Sequence, residues 1–463
     1  MFSKDEGLQN LMKVSVAGTG FASFVCIKYL VSLGIKPIVF DINKHASNEN
    51  KMSIKTKSIV GNYDEYLSLG GLSNLWTGVI EEYLQNDFIN WPFSKKDLDP
   101  YYKEVIKLLD FAEIHSFYSQ ENTDLLNYQI SKNQDFEKRE IYKDQNFSLK
   151  FASLLSNKLN NSNDKNYYFD SLCPLRLKEN VNQLIKESKI EYRNEKIIKI
   201  TENNNDVIIY TKNNNHEKRF VCDYLFAGCG AISSYLILKN SFPNFDKKIK
   251  IKSSKKIVVP VKFKNLNNFN KKFFNTFPIM QLNDLQNQNL SIYSQIYNLN
   301  PNIINYFFPK INNFKKYLFL ISFFKNFGFS YFGLGSNFSD EFTIDDKNNV
   351  KIYEKKYNFS KVVESLKPIF SKGFANSQIM HINFPIKMKT LSGNHFGSIF
   401  PMQKERKKFF DSDILGRIGN FKKISIIDSS VFTSLPARPP TLTVMANSLR
   451  ISTETRKNNF FKL

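Results

Sequence analysis

The sequence predicts an α/β protein, and three stretches carry that reading. Lys13 to Asp41 divides into a short apolar strand (VSVAG), a helix (TGFASFVCIKYLVSLG) and a second strand (KPIVFD), which together make one βαβ unit. From about Ile190 to Asp223, apolar and polar residues alternate between Asn-rich turns, the pattern of an antiparallel β-meander. Near the carboxy terminus, KKISIIDSSVFTSLPARPPTLTVMANSLRIS reads as a strand, a Pro-rich turn and a helix beginning near Thr441.

The βαβ unit carries the first chemical signal. Gly18 permits a tight turn out of the strand, and Gly20 lets backbone approach a pyrophosphate at the positive end of the following helix. The third small position is Ser23, small enough for the helix to pack on the strand. Asp41 closes the second strand, where a carboxylate can accept hydrogen bonds from a ribose. A glycine turn alone can be purely structural. Flanked by strand, helix and acid, it predicts dinucleotide binding without separating FAD from NAD.

Between these landmarks the chain is less explicit. A turn-rich stretch with Gly61, Gly70, Gly71 and Gly78 precedes WPFSKKDLDPYYKEVIKLLDF, an amphipathic helix with a Pro-punctuated entry. The region from Pro260 to about Pro385 is rich in Phe and Tyr and has no phosphate-loop signal, so it is expected to cover a substrate. Its most apolar part, YLFLISFFKNFGFSYFGLG, reads first as core strands and a helix, and second as a basic aromatic face touching a membrane surface.

A chain of 463 residues with 42% apolar content can bury a sizeable core. Its four cysteines, Cys26, Cys173, Cys222 and Cys229, form no CxxC pair, so neither a metal site nor a disulfide framework is expected. No signal-peptide h-region and no membrane-spanning run is evident, and a cytoplasmic protein is expected. The net charge of +22 is spread along the chain beside abundant Asn, Ile and Phe, which argues against a nucleic-acid patch. A broad positive potential would still favour an anionic substrate.

Two further runs place the chain beside a known family. Gly70-Gly71-Leu72-Ser73-Asn74-Leu75-Trp76-Thr77-Gly78, then Trp91-Pro92 and Leu98-Asp99-Pro100-Tyr101-Tyr102, closely resemble the glucose–methanol–choline (GMC) flavoprotein oxidoreductases. His395-Phe396-Gly397-Ser398-Ile399-Phe400-Pro401-Met402, Ile427-Asp428-Ser429-Ser430-Val431 and Pro440-Thr441-Leu442-Thr443-Val444-Met445-Ala446 follow in that family's closing order. Phe226-Ala227-Gly228-Cys229-Gly230-Ala231 resembles the turn that returns the chain to the cofactor domain. The motifs cover about a third of the residues but span nearly the whole length.

The resemblance implies a Rossmann-type FAD-binding domain (1–90, 190–250 and 395–463) interleaved with an α+β substrate-binding domain built on an antiparallel sheet (91–189 and 251–394). It also implies oxidation of a CH–OH group, with a sugar or sugar derivative as the expected substrate. His395, seven residues before Met402, falls on the family's base. Gly70, Gly71, Asn74 and Trp76 fall in the loop over the cofactor, and Thr77 takes a position facing flavin N5 in pyranose-oxidising relatives. Asp428 matches an acid near the ribityl chain. Pro440 and Thr441 begin the helix whose dipole serves the flavin pyrimidine. Flavinylated relatives carry a His before the Trp; Leu75 stands there, so a noncovalent FAD is expected.

One position departs from the pattern. Where the family has a second His or Asn, this chain has Pro439, which offers no side-chain donor or acceptor. Three readings follow: Arg438 substitutes, His395 acts alone, or the alcohol chemistry has been lost and a noncatalytic or membrane-surface flavoprotein remains. Asn394 is a further candidate for contact with substrate. His45, His115, His216 and His381 lie outside the matched motifs and are expected in surface or core roles. An NAD-dependent dehydrogenase would explain the Gly18 unit but not the later motifs.

Overall fold

The computed structural model describes residues 12–43, 68–119, 128–131, 140–143, 147–157, 174–213, 216–263, 280–284, 292–298, 327–347, 349–368, 379–382, 385–388, 391 and 395–458. Val14–Ala17 is the middle strand of a five-stranded parallel sheet, ordered Ile424–Ile426, Tyr224–Ala227, Val14–Ala17, Ile38–Asp41, Glu191–Asn194. Every residue of Val14–Ala17 and Tyr224–Ala227 is buried, which is why these strands read as unbroken apolar runs rather than as alternation.

The helix Phe21–Ser32 covers this sheet and is itself covered. Phe24, Val25, Ile27 and Leu30 are at most 1% exposed, each contributing about 1.5–3 kcal/mol of burial. The outer cover is the carboxy-terminal helix Thr441–Lys457, whose Ser448 hydroxyl donates to the Ala22 carbonyl at 2.7 Å. Ser23 lies 2.8 Å from the Ala17 carbonyl and 3.0 Å from that of Gly228. A Cβ on Gly228 would stand only 2.4 Å from its Oγ, so serine and glycine fit each other at this contact.

The helix expected after Trp91-Pro92 is Lys95–Leu108, started by a capping box in which the Ser94 backbone N–H donates to Asp97 at 2.7 Å. Leu98, Tyr102 and Val105, at helical spacing, form its buried face. The Tyr102 hydroxyl is 2.9 Å from Thr443 Oγ1, joining this helix to the start of the last one.

The second large unit is an eight-stranded antiparallel sheet. At its heart Lys256–Phe263 pairs with Phe327–Gly333, which pairs with Tyr293–Asn298. The latter half of the apolar run, from Phe327, is therefore core strand; its beginning, 317–326, lies outside the described residues. Among the described residues no helix is long and apolar enough to cross a membrane.

The predicted meander is present as Lys196–Glu202, Val207–Asn213 and His216–Cys222. Its expected first run behaves differently: Glu191–Asn194 joins the edge of the parallel sheet beside Ile38–Asp41. Its burial does not alternate, Glu191 and Tyr192 being half-buried and Arg193 and Asn194 exposed, so the alternation of residue types in the sequence did not reveal the parallel pairing.

Gly18 has a φ of 88°, and an added Cβ would stand 2.7 Å from the Gly228 carbonyl oxygen. Gly18→Ala is expected to lower the unfolding free energy by about 1–3 kcal/mol from overpacking in addition to backbone strain. Gly34 has a φ of 78° with nothing within 4 Å of an added Cβ. Gly34→Ala should therefore cost only the strain, about 1 kcal/mol. Urea titration of both variants reads the difference.

Candidate functional site

The turn after Val14–Ala17 is held shut from both sides. Gly18 N–H donates to the Phe40 carbonyl at 2.7 Å, while its Cα face abuts Gly228 and Cys229. Gly20 then opens the helix without a side-chain cap, and the first turn holds no acidic residue. A Cβ on Gly20 would have the Gly70 carbonyl, at 4.0 Å, as its nearest neighbour, and one on Gly71 would lie 3.6 Å from Gly20 Cα, so this backbone is uncovered except where the Gly70–Gly71 loop lies beside it. Uncapped N–H groups beside uncovered backbone are the donor set a pyrophosphate requires.

Thr19 ties this turn to two other predicted residues. Its hydroxyl donates to the Asp41 carboxylate and accepts the Gly70 N–H at 2.8 Å. Asp41 also accepts the Ile42 N–H at 2.7 Å. Burial pushes the Asp41 carboxyl up to about 6, although the residue keeps partial solvent exposure.

The loop carrying Gly70 to Gly78 is built around its own polar groups. Gly70 and Gly71 have φ of 80° and 52°, and a Cβ on Gly70 would stand 2.9 Å from the Lys178 backbone nitrogen. Asn74 Nδ2 donates to the carbonyls of Leu69 and Gly71 at 2.7 and 3.1 Å. Trp76 Nε1 donates to the Leu175 carbonyl at 2.7 Å, and its ring meets Phe21 edge-on at 4.5 Å. Arg176 donates to the carbonyls of Ser73 and Trp76 at 2.6 and 3.0 Å. These bonds commit the Asn74 and Trp76 polar groups to shaping the loop. Arg176, remote in sequence and outside any motif, was not predicted. Thr77 Oγ1 lies 3.5 Å from the Tyr297 hydroxyl, which links the loop to the antiparallel sheet.

The carboxy-terminal motifs converge on Asp428. Its buried carboxylate accepts the Gly230 N–H and Ser234 hydroxyl on one oxygen, at 2.9 and 2.6 Å, and the Ser430 N–H and hydroxyl on the other, at 2.9 and 2.5 Å. The Ser429 hydroxyl next donates to the Phe396 carbonyl at 2.7 Å, and a Cβ on Gly397 would stand 2.4 Å from the Ser429 oxygen. The Ser254 N–H donates to the His395 carbonyl at 3.1 Å. His395 thus immediately precedes the short strand Phe396–Gly397, which these contacts hold in place. The helix Thr441–Lys457 starts at Pro440 with no side-chain cap and no acid in its first turn.

The His395 side chain meets a residue that no motif had marked. Its Nδ1 lies 3.4 Å from Lys256 Nζ. Lys256 is 4% exposed, and burial brings its amine down to about 7. Burial and the neighbouring Lys256 charge hold the His395 imidazole well below its ordinary value, so it is neutral at physiological pH. Arg438 lies elsewhere: it makes a buried ion pair with Asp87 at 2.7 Å, both side chains 2% exposed. Asn394 lies outside the described residues, as does His45. His216 is exposed, and the half-buried His381 reaches Ser330 at 3.3 Å; the His115 backbone runs in the strand Ala112–Ser119. A surface cleft of about 260 Å³ beside Lys196, Lys239 and Asp346 is lined by none of the predicted residues.

No protein-family model matches the sequence, and no curated protein is similar to it. Among solved structures, the fold is similar to that of pyridoxine 4-oxidase from Mesorbium loti, with a TM-score of 0.62 over 96% of this chain and 99% of that one at 10% identity. The architecture is therefore shared end to end, at 10% sequence identity.

Two outcomes test this geometry. Arg438→Met or Asp87→Asn leaves one buried charge without its partner and is expected to cost about 3–5 kcal/mol by chemical denaturation. Asp41, raised above its unfolded value of 3.8 to about 6, takes up a proton on folding, so its ionisation penalises the native state as pH rises through that interval. The stability of Asp41→Asn relative to the parent should accordingly increase between pH 4 and 6, read as the difference in melting temperature.

Proposed function

We propose that this chain is a flavin-dependent oxidoreductase that oxidises a CH–OH group, with noncovalent FAD and His395 as the base. The observation that carries the reading is one line of contacts. Gly18 packs on Gly228 and Cys229, Gly230 donates to Asp428, and Ser429 holds the Phe396 carbonyl next to His395. The dinucleotide turn and the candidate base are thereby set on one framework, within a fold shared with an oxidase.

The uncapped start of Phe21–Ser32 with Gly18 and Gly20 suits the pyrophosphate, and Asp41 suits the ribose. Gly70 and Gly71 would lie along the cofactor, and the uncapped Pro440–Thr441 end would stabilise negative charge on it. Leu75 offers no covalent attachment. FAD, when bound, supplies the hydride acceptor. His395 takes the hydroxyl proton of the substrate, and Thr77 stands beside the reacting centre. In the same proposal the parallel sheet and last helix hold the cofactor, while the antiparallel sheet, with Lys256 and Tyr297, faces the substrate. The substrate class we favour is a sugar or sugar derivative.

One observation favours a second reading. Pro439 supplies no side chain and Arg438 is committed to Asp87, so a flavoprotein that has lost alcohol oxidation would look similar on that side. Anaerobic mixing of the FAD-loaded protein with sugars, simple alcohols and pyridoxine separates the two. Bleaching of the flavin bands by one donor class supports the oxidoreductase; no bleaching by any supports the scaffold. Absence of flavin bands with or without added FAD rejects both. With a bleaching donor in hand, His395→Gln should slow reduction by about 10²–10⁴-fold while retaining the flavin spectrum. Acid precipitation should leave the yellow colour in the supernatant.

A further inference from the structure

Lys256 is a buried lysine with an unusual setting. Its neighbour Lys255 is equally buried but bonds Asp340 at 2.8 Å. Among the described residues no carboxylate pairs with Lys256, and His395 Nδ1 is the polar atom it meets. Strand register explains how it fits. Lys256 stands opposite Gly333, where a Cβ would lie 3.1 Å from Nζ and 2.5 Å from the Ala437 carbonyl oxygen. Glycine at that point leaves room for the amine to reach across to His395, with the Tyr331 ring 5.5 Å away. Among the described residues, His395 Nε2 has no hydrogen-bond partner.

We propose that Lys256 is a positioning residue whose amine, facing His395 Nδ1 at 3.4 Å, decides which imidazole nitrogen is left as the base toward substrate. The inference rests on the oxidoreductase reading only for the word substrate; the pairing itself does not need it. A neutral amine accepts the Nδ1–H hydrogen, which leaves the Nε2 lone pair free. An ammonium donates to Nδ1 instead, so Nε2 carries the hydrogen and can only donate. In the productive state Nε2 takes the substrate hydroxyl proton, and FAD, when bound, would supply the acceptor for the carbinol hydride and its electron pair, which leaves a carbonyl product. The imidazolium keeps Nδ1–H on the Lys256 lone pair until it releases the Nε2 proton to solvent.

The charged and titratable groups around the pair do not compete for it. Lys255 turns to Asp340, Lys387 on the adjoining strand binds Glu354 at 2.8 Å, and Arg438 beside Ala437 binds Asp87. Tyr331 presents its ring to Lys256. With burial holding Lys256 at about 7, neutral amine is available at physiological pH and vanishes as pH falls. Loss of the base form below this value predicts that flavin reduction slows about fivefold between pH 7 and 6.

The test is ¹H–¹⁵N NMR of the full chain labelled at histidine, with the His395 signal identified by its absence in His395→Gln. At pH 8.5 the parent is expected to show the Nδ1–H form, switching to Nε2–H below pH 7; Lys256→Met should show no such switch. Lys256→Arg, charged at every pH, should hold Nε2–H throughout and slow flavin reduction at least 10²-fold, more than Lys256→Met does. An Nε2–H form in the parent at pH 8.5, or full activity in Lys256→Arg, overturns the proposal. Full activity in His395→Gln, with the tautomer switch intact in the parent, would instead overturn the base assignment and leave the pairing standing. The parent titration needs a substitution only to assign the signal, and Lys256→Met, which keeps His395, gives a second assignment through the resonance whose tautomer switch is lost.

Discussion

The Asp428 carboxylate is the interaction on which the candidate site depends. A buried carboxylate costs several kcal/mol unless its lone pairs are met, and here two backbone N–H groups and two hydroxyls meet them. The donors come from the Gly230 turn, the helix Ala231–Ser241 and the Ser429–Val431 turn. One side chain therefore fixes the strand end that packs on Gly18 to the turn that carries Phe396 and, beyond it, His395. Burial raises the Asp428 carboxyl, yet each hydrogen bond works against that rise, so the site keeps an acid whose electrostatic demand is answered locally.

Two other buried cations show how Lys256 differs from an ion-paired one. Arg438 and Lys255 follow the usual rule that a buried charge carries its counter-ion, Asp87 and Asp340 respectively. Those pairs hold segments together: Arg438 ties the turn before the last helix to the loop at Asp87, and Lys255 ties the edge of a strand to Asp340. Among the described residues no carboxylate pairs with Lys256, and burial lowers its amine to about 7, so the low-dielectric surroundings favour loss of the proton rather than pairing. A group in that condition is costly to keep in a core for packing alone. Its placement against an imidazole that is itself held neutral gives the cost a chemical use.

What the sequence disclosed follows how local each feature is. The βαβ unit, the capped helix from Lys95 and the helix from Thr441 are set by neighbours within a few turns, and all three stand where the residues indicated. Glu191–Asn194 was misassigned because joining a parallel edge depends on Ile38–Asp41, some 150 positions away, rather than on its own alternation. Asn74 and Trp76 were legible as loop residues, but their polar atoms prove to be spent on loop carbonyls. Lys256 was invisible for a similar reason. Its meaning arises from a glycine across the ladder and a histidine 139 positions away, and neither is implied by the run SSKKIVV.

The proline at position 439 takes on a different aspect in this light. A second polar group beside His395 need not descend from the turn before the last helix if it can rise from the sheet beneath. Gly333 is where the two routes meet, since its missing side chain is bounded by the Ala437 carbonyl on one side and the Lys256 amine on the other. Tyr293 continues the row on the next strand, in register with Gly333 and under the field of Arg438. A bulky residue at 333 would close the sheet route, just as Pro439 closes the turn route. With glycine there, the strand Lys256–Phe263 can deliver a nitrogen to the imidazole while Arg438 remains free to stabilise the fold.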